Sequence, residues 1–153
     1  MKIEFRKGGD KNMLTCSRPD GTTTWMEATP FFVAHDLAHF VIEKQLQIVN
    51  GFYGLIASGF DITDFEKKRE ITPQQLPEDS IKAELLVNLI LTERNDRKRL
   101  ESFNATFNEV SERYGLPNMK FDASDLDKIH NQLDEMLKRW ASLPINESIT
   151  LTW

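Results

Sequence analysis

FFVAHDLAHFVIEKQLQIVNGFYGLIASG, residues 31–59, is the most apolar stretch of the chain and yet holds two of its three histidines. Just before it, Thr29-Pro30 is a helix-start signal. A threonine hydroxyl can accept from a free first-turn amide, and proline suits the first helical position, where no amide is needed. The helix is expected to run to about Gln47. Leu37, Ala38, Phe40, Val41, Ile42 and Leu46 cover most of its circumference, and a helix apolar nearly all round is a buried one. Asn50-Gly51 is read as its break. Phe52 to Ser58, flanked by Gly51, Gly54 and Gly59, is expected to form a second short helix packed closely on the first, because small residues let backbones approach.

Toward the N-terminus the period changes. Ile3 and Phe5 alternate with Lys2, Glu4 and Arg6, as in a half-buried strand, and Gly8-Gly9-Asp10 ends the run. Met13 to Ser17 makes a second strand, Arg18-Pro19-Asp20-Gly21 a turn, and Thr22 to Met26 a third strand rich in β-branched and aromatic residues. At the other end of the chain Ile149, Leu151 and Trp153 alternate with Ser148, Thr150 and Thr152. This is expected to be a fourth strand returning to the N-terminal sheet.

Between them the chain reads as helical. Phe60 to Glu66 mixes aromatics with acids, and residues 72–80, TPQQLPEDS, are expected to be a surface loop. Ile81, Leu85, Val87, Leu89 and Ile90 mark a buried helix that can run on toward Arg99. Leu100, Phe103, Phe107, Val110 and Tyr114 form an apolar seam that Gly115-Leu116-Pro117 stops. Leu126, Ile129, Leu133, Met136 and Trp140 form a matching seam on a helix opening near Ser124, with Asp125 and Asp127 suiting the positive end of its dipole. The two seamed helices are expected to form an antiparallel pair.

The fold class is therefore α+β: a small antiparallel sheet, made by a three-stranded N-terminal meander and a C-terminal strand, packed with a mostly helical body. At 153 residues one domain is expected, with the meander over 1–28, the helical body over 29–141 and the terminal strand over 147–153.

Composition narrows the setting. The apolar run Leu85 to Leu91 is too short to span a bilayer, and MKIEFRKGG has no apolar signal core. A cytoplasmic protein without membrane partners is expected. With 24 acids against 19 bases, the net charge of -5 repels phosphate backbones, so a nucleic-acid partner is not expected. Cys16, the single cysteine, excludes an internal disulfide.

His35 and His39 stand four apart on the central helix, so both imidazoles leave one face a turn apart. That spacing lets one helix supply two ligands to a divalent metal ion, zinc above others. Asp36 follows the first histidine where zinc peptidases of the His-Glu-x-x-His type carry their general base, and Glu43 extends the same ridge as a base or further ligand. A catalytic zinc needs a third protein ligand, for which Glu43, Asp61, Asp64, Glu84 and His130 are candidates. The competing reading makes the histidines buried polar residues that fix how the helix docks. Glu84 interrupts an apolar helix; facing the core, it would need a partner such as a histidine of the central helix.

Other chemistries lack their residues. There is no Gly-x-Ser-x-Gly elbow, Cys16 has nothing local to activate it, and neither glycine pattern for phosphate binding occurs, so no nucleotide cofactor is implied.

Over residues 16–66, the succession SRPDGTTTW, HDLAHFVIE and GFYGLIASGFDI resembles a family of small bacterial proteins in which a Ser-Arg-x-Asp-Gly turn precedes a His-Asp-Leu-x-His helix. The resemblance implies no activity. It does imply that Asp20, Gly21, Trp25, His35, Asp36, His39, Glu43 and Gly54 belong to one constellation.

Two functions follow as expectations. One is a metal site on His35 and His39, hydrolytic in its sharpest form, with a small-molecule ligand near the histidine helix. The other is a non-catalytic interaction or structural protein, a homodimer, with the histidines in the core.

Overall fold

Ile3, Phe5, Leu14, Cys16 and Ile149 are completely buried, and their alternation with polar neighbours makes one sheet with one covered face. The computed structural model describes residues 1–66 and 77–153; most of the loop expected over 72–80 lies outside them. Strands β1 (Lys2–Arg6), β2 (Asn12–Ser17), β3 (Thr23–Ala28) and β4 (Ser148–Thr152) form an antiparallel sheet in the order β3-β2-β1-β4. Ile3 stands between Cys16 and Leu151, and Phe5 between Leu14 and Ile149. The terminal strand therefore returns to β1, as its alternation predicts. The hairpin joining β2 to β3 turns at Gly21, whose φ of 88° is open to glycine at no steric cost.

Helix α1 (Pro30–Gln45) is the centre of the molecule. Thr29 caps it by accepting from Phe32 N at 3.4 Å, with Pro30 in the first turn. It packs on β2 and β3 and on α2 (Phe52–Ala57), α4 (Glu78–Asp96) and α6 (Ala123–Ser142). Burial nearly all round is what its composition predicts. The helix ends within two residues of the expected Gln47, by a stop other than Asn50-Gly51. Gln47 takes φ 54°, and Ile48 N donates to Glu43 O at 2.9 Å, the six-to-one bond of a Schellman stop. The non-glycine residue in the left-handed position hides this stop from a glycine-based reading.

A short α3 (Ile62–Glu66) leads out of the first described segment. Residues 78–80, expected in the loop, are instead the first turn of α4, where Glu78 and Asp79 suit the positive end of the helix dipole. This helix does not reach Arg99. Arg97 takes φ 51° and Lys98 N donates to Glu93 O at 3.1 Å, a second Schellman stop without glycine.

The expected antiparallel pair of C-terminal helices is corrected. Helix α5 (Phe103–Glu112) packs chiefly on α4, and α6 chiefly on α1. The connection folds back along α5 and fills its seam: Asn104 binds both backbone groups of Phe121, Asn108 binds both of Met119, and the Phe121 ring stands edge-on to Phe103 and Phe107. Tyr114 lies beyond the helix end and is 47 % exposed, so it leaves the seam. Gly115, with φ 72°, makes the expected stop. No helix among the described residues is long and apolar enough to cross a membrane.

Candidate metal centre

The full burial of α1 carries polar groups inside: Asp36, His39 and Glu43 are all below 5 % exposed. Buried polar groups need partners, and charged ones need them most. Glu43 finds three. Its Oε1 lies 2.9 Å from His39 Nδ1 and accepts from Phe52 N at 2.8 Å, and its Oε2 accepts from Tyr53 N at 3.1 Å. These amides are free because they open α2, and Gly51 leaves room for the carboxylate beside them. Gly54 serves the same packing, since a Cβ there would meet Val49 O at 1.9 Å.

Helix α4 supplies the other side. Glu84 Oε2 lies 3.3 Å from His39 Nε2, and Glu84 Oε1 lies 3.5 Å from His35 Nε2. His35 Nδ1 faces Asp36 Oδ1 at 3.3 Å. Each imidazole thus turns Nδ1 to a carboxylate of its own helix and Nε2 to Glu84. Ligand atoms of His35, His39 and Glu84 all lie within 4.8 Å of one another, close enough to hold a metal ion. Of the five third-ligand candidates, Glu84 is the one brought to both histidines.

The electrostatics follow from this crowding. Burial alone would lower the His39 imidazole, but the hydrogen bonds and charges of Glu43 and Glu84 outweigh it and raise the group to about 9. His35 is raised in the same way, burial being outweighed by Asp36 and Glu84. Asp36 is raised by its own burial, against the pull of His35. Its Oδ2 is a buried oxygen with no hydrogen-bond partner among the described residues; Tyr53 OH donates instead to the Asp36 carbonyl, at 3.1 Å.

The remaining sequence candidates lie elsewhere. Asp61 is exposed and pairs with Arg18 at 3.5 Å, Asp64 accepts from Asp61 N at 3.0 Å, and His130 Nε2 lies 2.6 Å from Glu93 Oε2. Asp20 accepts from Thr22 N and Oγ1 within its own hairpin turn, and Trp25 is 58 % exposed on β3. Cys16 is buried, and its thiol is pushed up to about 12 by burial, with the Asp36 charge adding to it.

Two features escaped the sequence reading. One is the pair of α2 amides that holds Glu43, for which Gly51 before an aromatic pair was the available signal. The other is the ring packing around the site, with Phe31 6.2 Å from His35 and Phe52 5.2 Å from His39 between centroids. No protein-family model, curated protein or solved structure matches this chain.

Proposed function

We propose that the chain is a divalent-metal protein in which His35 Nε2, His39 Nε2 and a Glu84 oxygen hold one ion, zinc fitting best. One observation carries this reading: both imidazoles point Nδ1 at a carboxylate and Nε2 at the same third residue. A histidine that donates its Nδ1–H outward offers its Nε2 lone pair to a metal, and the outer carboxylate fixes the tautomer and strengthens the ligand. Donors on a tetrahedral ion with bonds of about 2.1 Å stand about 3.4 Å apart. His35 Nε2 lies 3.5 Å from one Glu84 oxygen and His39 Nε2 lies 3.3 Å from the other. One donor atom from each of the three residues lies within 4.8 Å of the others, so the donors draw in toward that value when an ion enters.

Two histidines and one carboxylate form a ligand set that leaves coordination open, in catalytic zinc sites and in non-haem iron(II) sites alike. Zinc would supply a Lewis acid that brings a coordinated water toward a pKa of about 7, which is the chemical basis for a hydrolase. Glu43, engaged by two amides and His39, acts here as an orienting group instead of a base. Asp36 orients His35 in the same manner. A small-molecule ligand approaches past His35, the more exposed of the two histidines.

A second reading has its own support, since the His39 side chain is 4 % exposed and lies between two carboxylates. On it the cluster is an ion-pair network that docks α1 on α2 and α4 in a non-catalytic protein. Zinc titration against a competing chelator, on protein made without a metal-affinity tag, separates the two. The metal reading expects one equivalent bound by the wild type and at least tenfold weaker binding in His35→Ala and Glu84→Gln. Absence of binding, with both variants changing only thermal stability, would leave the structural reading.

A further inference from the structure

We propose that the free edge of β3 is a docking groove for an extended peptide segment carrying basic residues. Strand β3 ends the sheet among the described residues, pairing with β2 alone. Among the described residues, no backbone N–H or C=O of Thr23–Ala28 on the outer edge bonds to another part of the chain. Edges are normally blunted by proline, a bulge, charged side chains or a covering helix. The strand reads TTWMEA and pairs with β2 without a break in register. It has no proline or bulge, Glu27 is its one charge, and α3 stands beside it at Thr24 without pairing with its backbone.

The edge is also walled. A groove of about 660 Å³ is lined by Thr23, Thr24, Trp25, Met26, Glu27 and Asp61, with Thr63 beyond. Five consecutive strand residues can line one groove only if it runs along the strand edge, where side chains of both faces and the backbone meet. Helix α3 forms the far wall and is held there by Ile62 N, which donates to Thr24 Oγ1 at 3.0 Å. The groove is a depression largely open to solvent, as suits a segment lying along the surface and not an enclosed small molecule. What fits is a chain that supplies backbone donors and acceptors at strand spacing, with alternate side chains entering pockets.

Charge selects the occupant. The ionisable residues lining the groove are Glu27 and Asp61, both acids and both at least half exposed. Their partners Lys11 and Arg18 do not line it. A second copy of this chain, docked edge to edge, would set these acids against their own images. A segment with Lys or Arg on one face and an apolar residue toward the exposed Trp25 ring has complementary groups instead.

The probe is the capped heptapeptide Lys-Val-Lys-Val-Lys-Val-Lys, titrated into ¹⁵N-labelled protein. Three controls accompany it: a Glu-for-Lys version, a version N-methylated at alternate residues, and the Glu27→Lys/Asp61→Lys variant of the protein. Expected are shifts concentrated in the amides of residues 23–28 and 61–63, with binding at least tenfold weaker in each control. No shifts at millimolar peptide would overturn the proposal, as would equal binding of the Glu peptide or of the N-methylated one. Shifts in the same amides that depend on protein concentration without peptide would assign the edge to a second copy and overturn it equally.

Discussion

Glu43 and Gly51 share one space: a Cβ on Gly51 would lie 2.4 Å from Glu43 Cδ and 2.6 and 2.7 Å from its two oxygens. Gly51 has φ -76°, so the requirement is for volume and not for a left-handed backbone. Helix, turn and second helix are thereby joined at one carboxylate, which receives the α2 amides and His39 together.

Gly51→Ala is therefore expected to expel the carboxylate and leave buried donors unpaired, lowering stability by about 1–3 kcal/mol. Denaturant unfolding checks this, with Gly9→Ala as the comparison, because nothing lies within 4 Å of a Cβ there. Equal stability of the two variants would show that Glu43 has room elsewhere.

Glu43→Gln tests the orienting role without removing a metal ligand. The glutamine NH2 cannot accept at the oxygen position it takes, so at least one of the three groups on Glu43 loses its acceptor. His39 Nδ1 keeps at best a neutral amide oxygen in place of a carboxylate. Outer partners of metal-bound histidines are worth about 10–100-fold in affinity, and zinc binding should weaken by that factor. Unchanged affinity would make Glu43 a helix cap only.

Much of this site was half-legible. Thr29-Pro30, the four-residue spacing of His35 and His39, and the terminal alternation at Ile149 and Leu151 are local patterns, and the structure follows them. Glu84 stood out as an acid in an apolar helix, but only the packing of α4 on α1 sets it, 45 residues on, against His39. The end of α1 near Gln47 was expected, but the form of the stops at Gln47 and Arg97 left no trace, because each puts a long polar residue where glycine is the usual mark. The C-terminal seams matched in spacing yet did not pair, since Asn104 and Asn108 clamp the intervening loop over one of them. Side-chain clamps of that kind have no periodicity to read.

Cys16 carries a pH dependence of stability. Its thiol titrates at about 12 in the fold against 9.0 for an unperturbed group, because burial disfavours the thiolate. A raised value means that the folded state holds its proton more tightly than the unfolded one. The contribution is whole below pH 9 and is lost as pH rises through 12. Between those limits the wild type should lose stability more steeply than Cys16→Ala, measured by chemical unfolding across pH. Parallel curves would contradict this. The folded protein should also resist thiol alkylation at pH 8.

The terminal strand is expected to matter for stability as well. Ile149 is fully buried, and the Trp153 ring meets Phe40 at 6.4 Å and Tyr53 at 5.8 Å. Removing residues 150–153 takes away three of the five β1–β4 residue pairs, leaving Ile149 and Ser148 paired, together with the Trp153 ring contacts. A loss of about 3 kcal/mol, or a Tm lower by roughly 6–12 °C at this size, is the expected result. An unchanged melting temperature would mean that the strand adds nothing to the core.

The most direct measurement is the anomalous difference density of crystals grown with one equivalent of zinc, collected on both sides of the zinc absorption edge. The metal reading expects a single strong peak about 2.0–2.2 Å from His35 Nε2, His39 Nε2 and a Glu84 oxygen, with Glu43 still on His39 Nδ1. Density for His39 held between Glu43 and Glu84, with no anomalous peak beside it at saturating zinc, would contradict that reading and leave the cluster as the ion pair that docks α1.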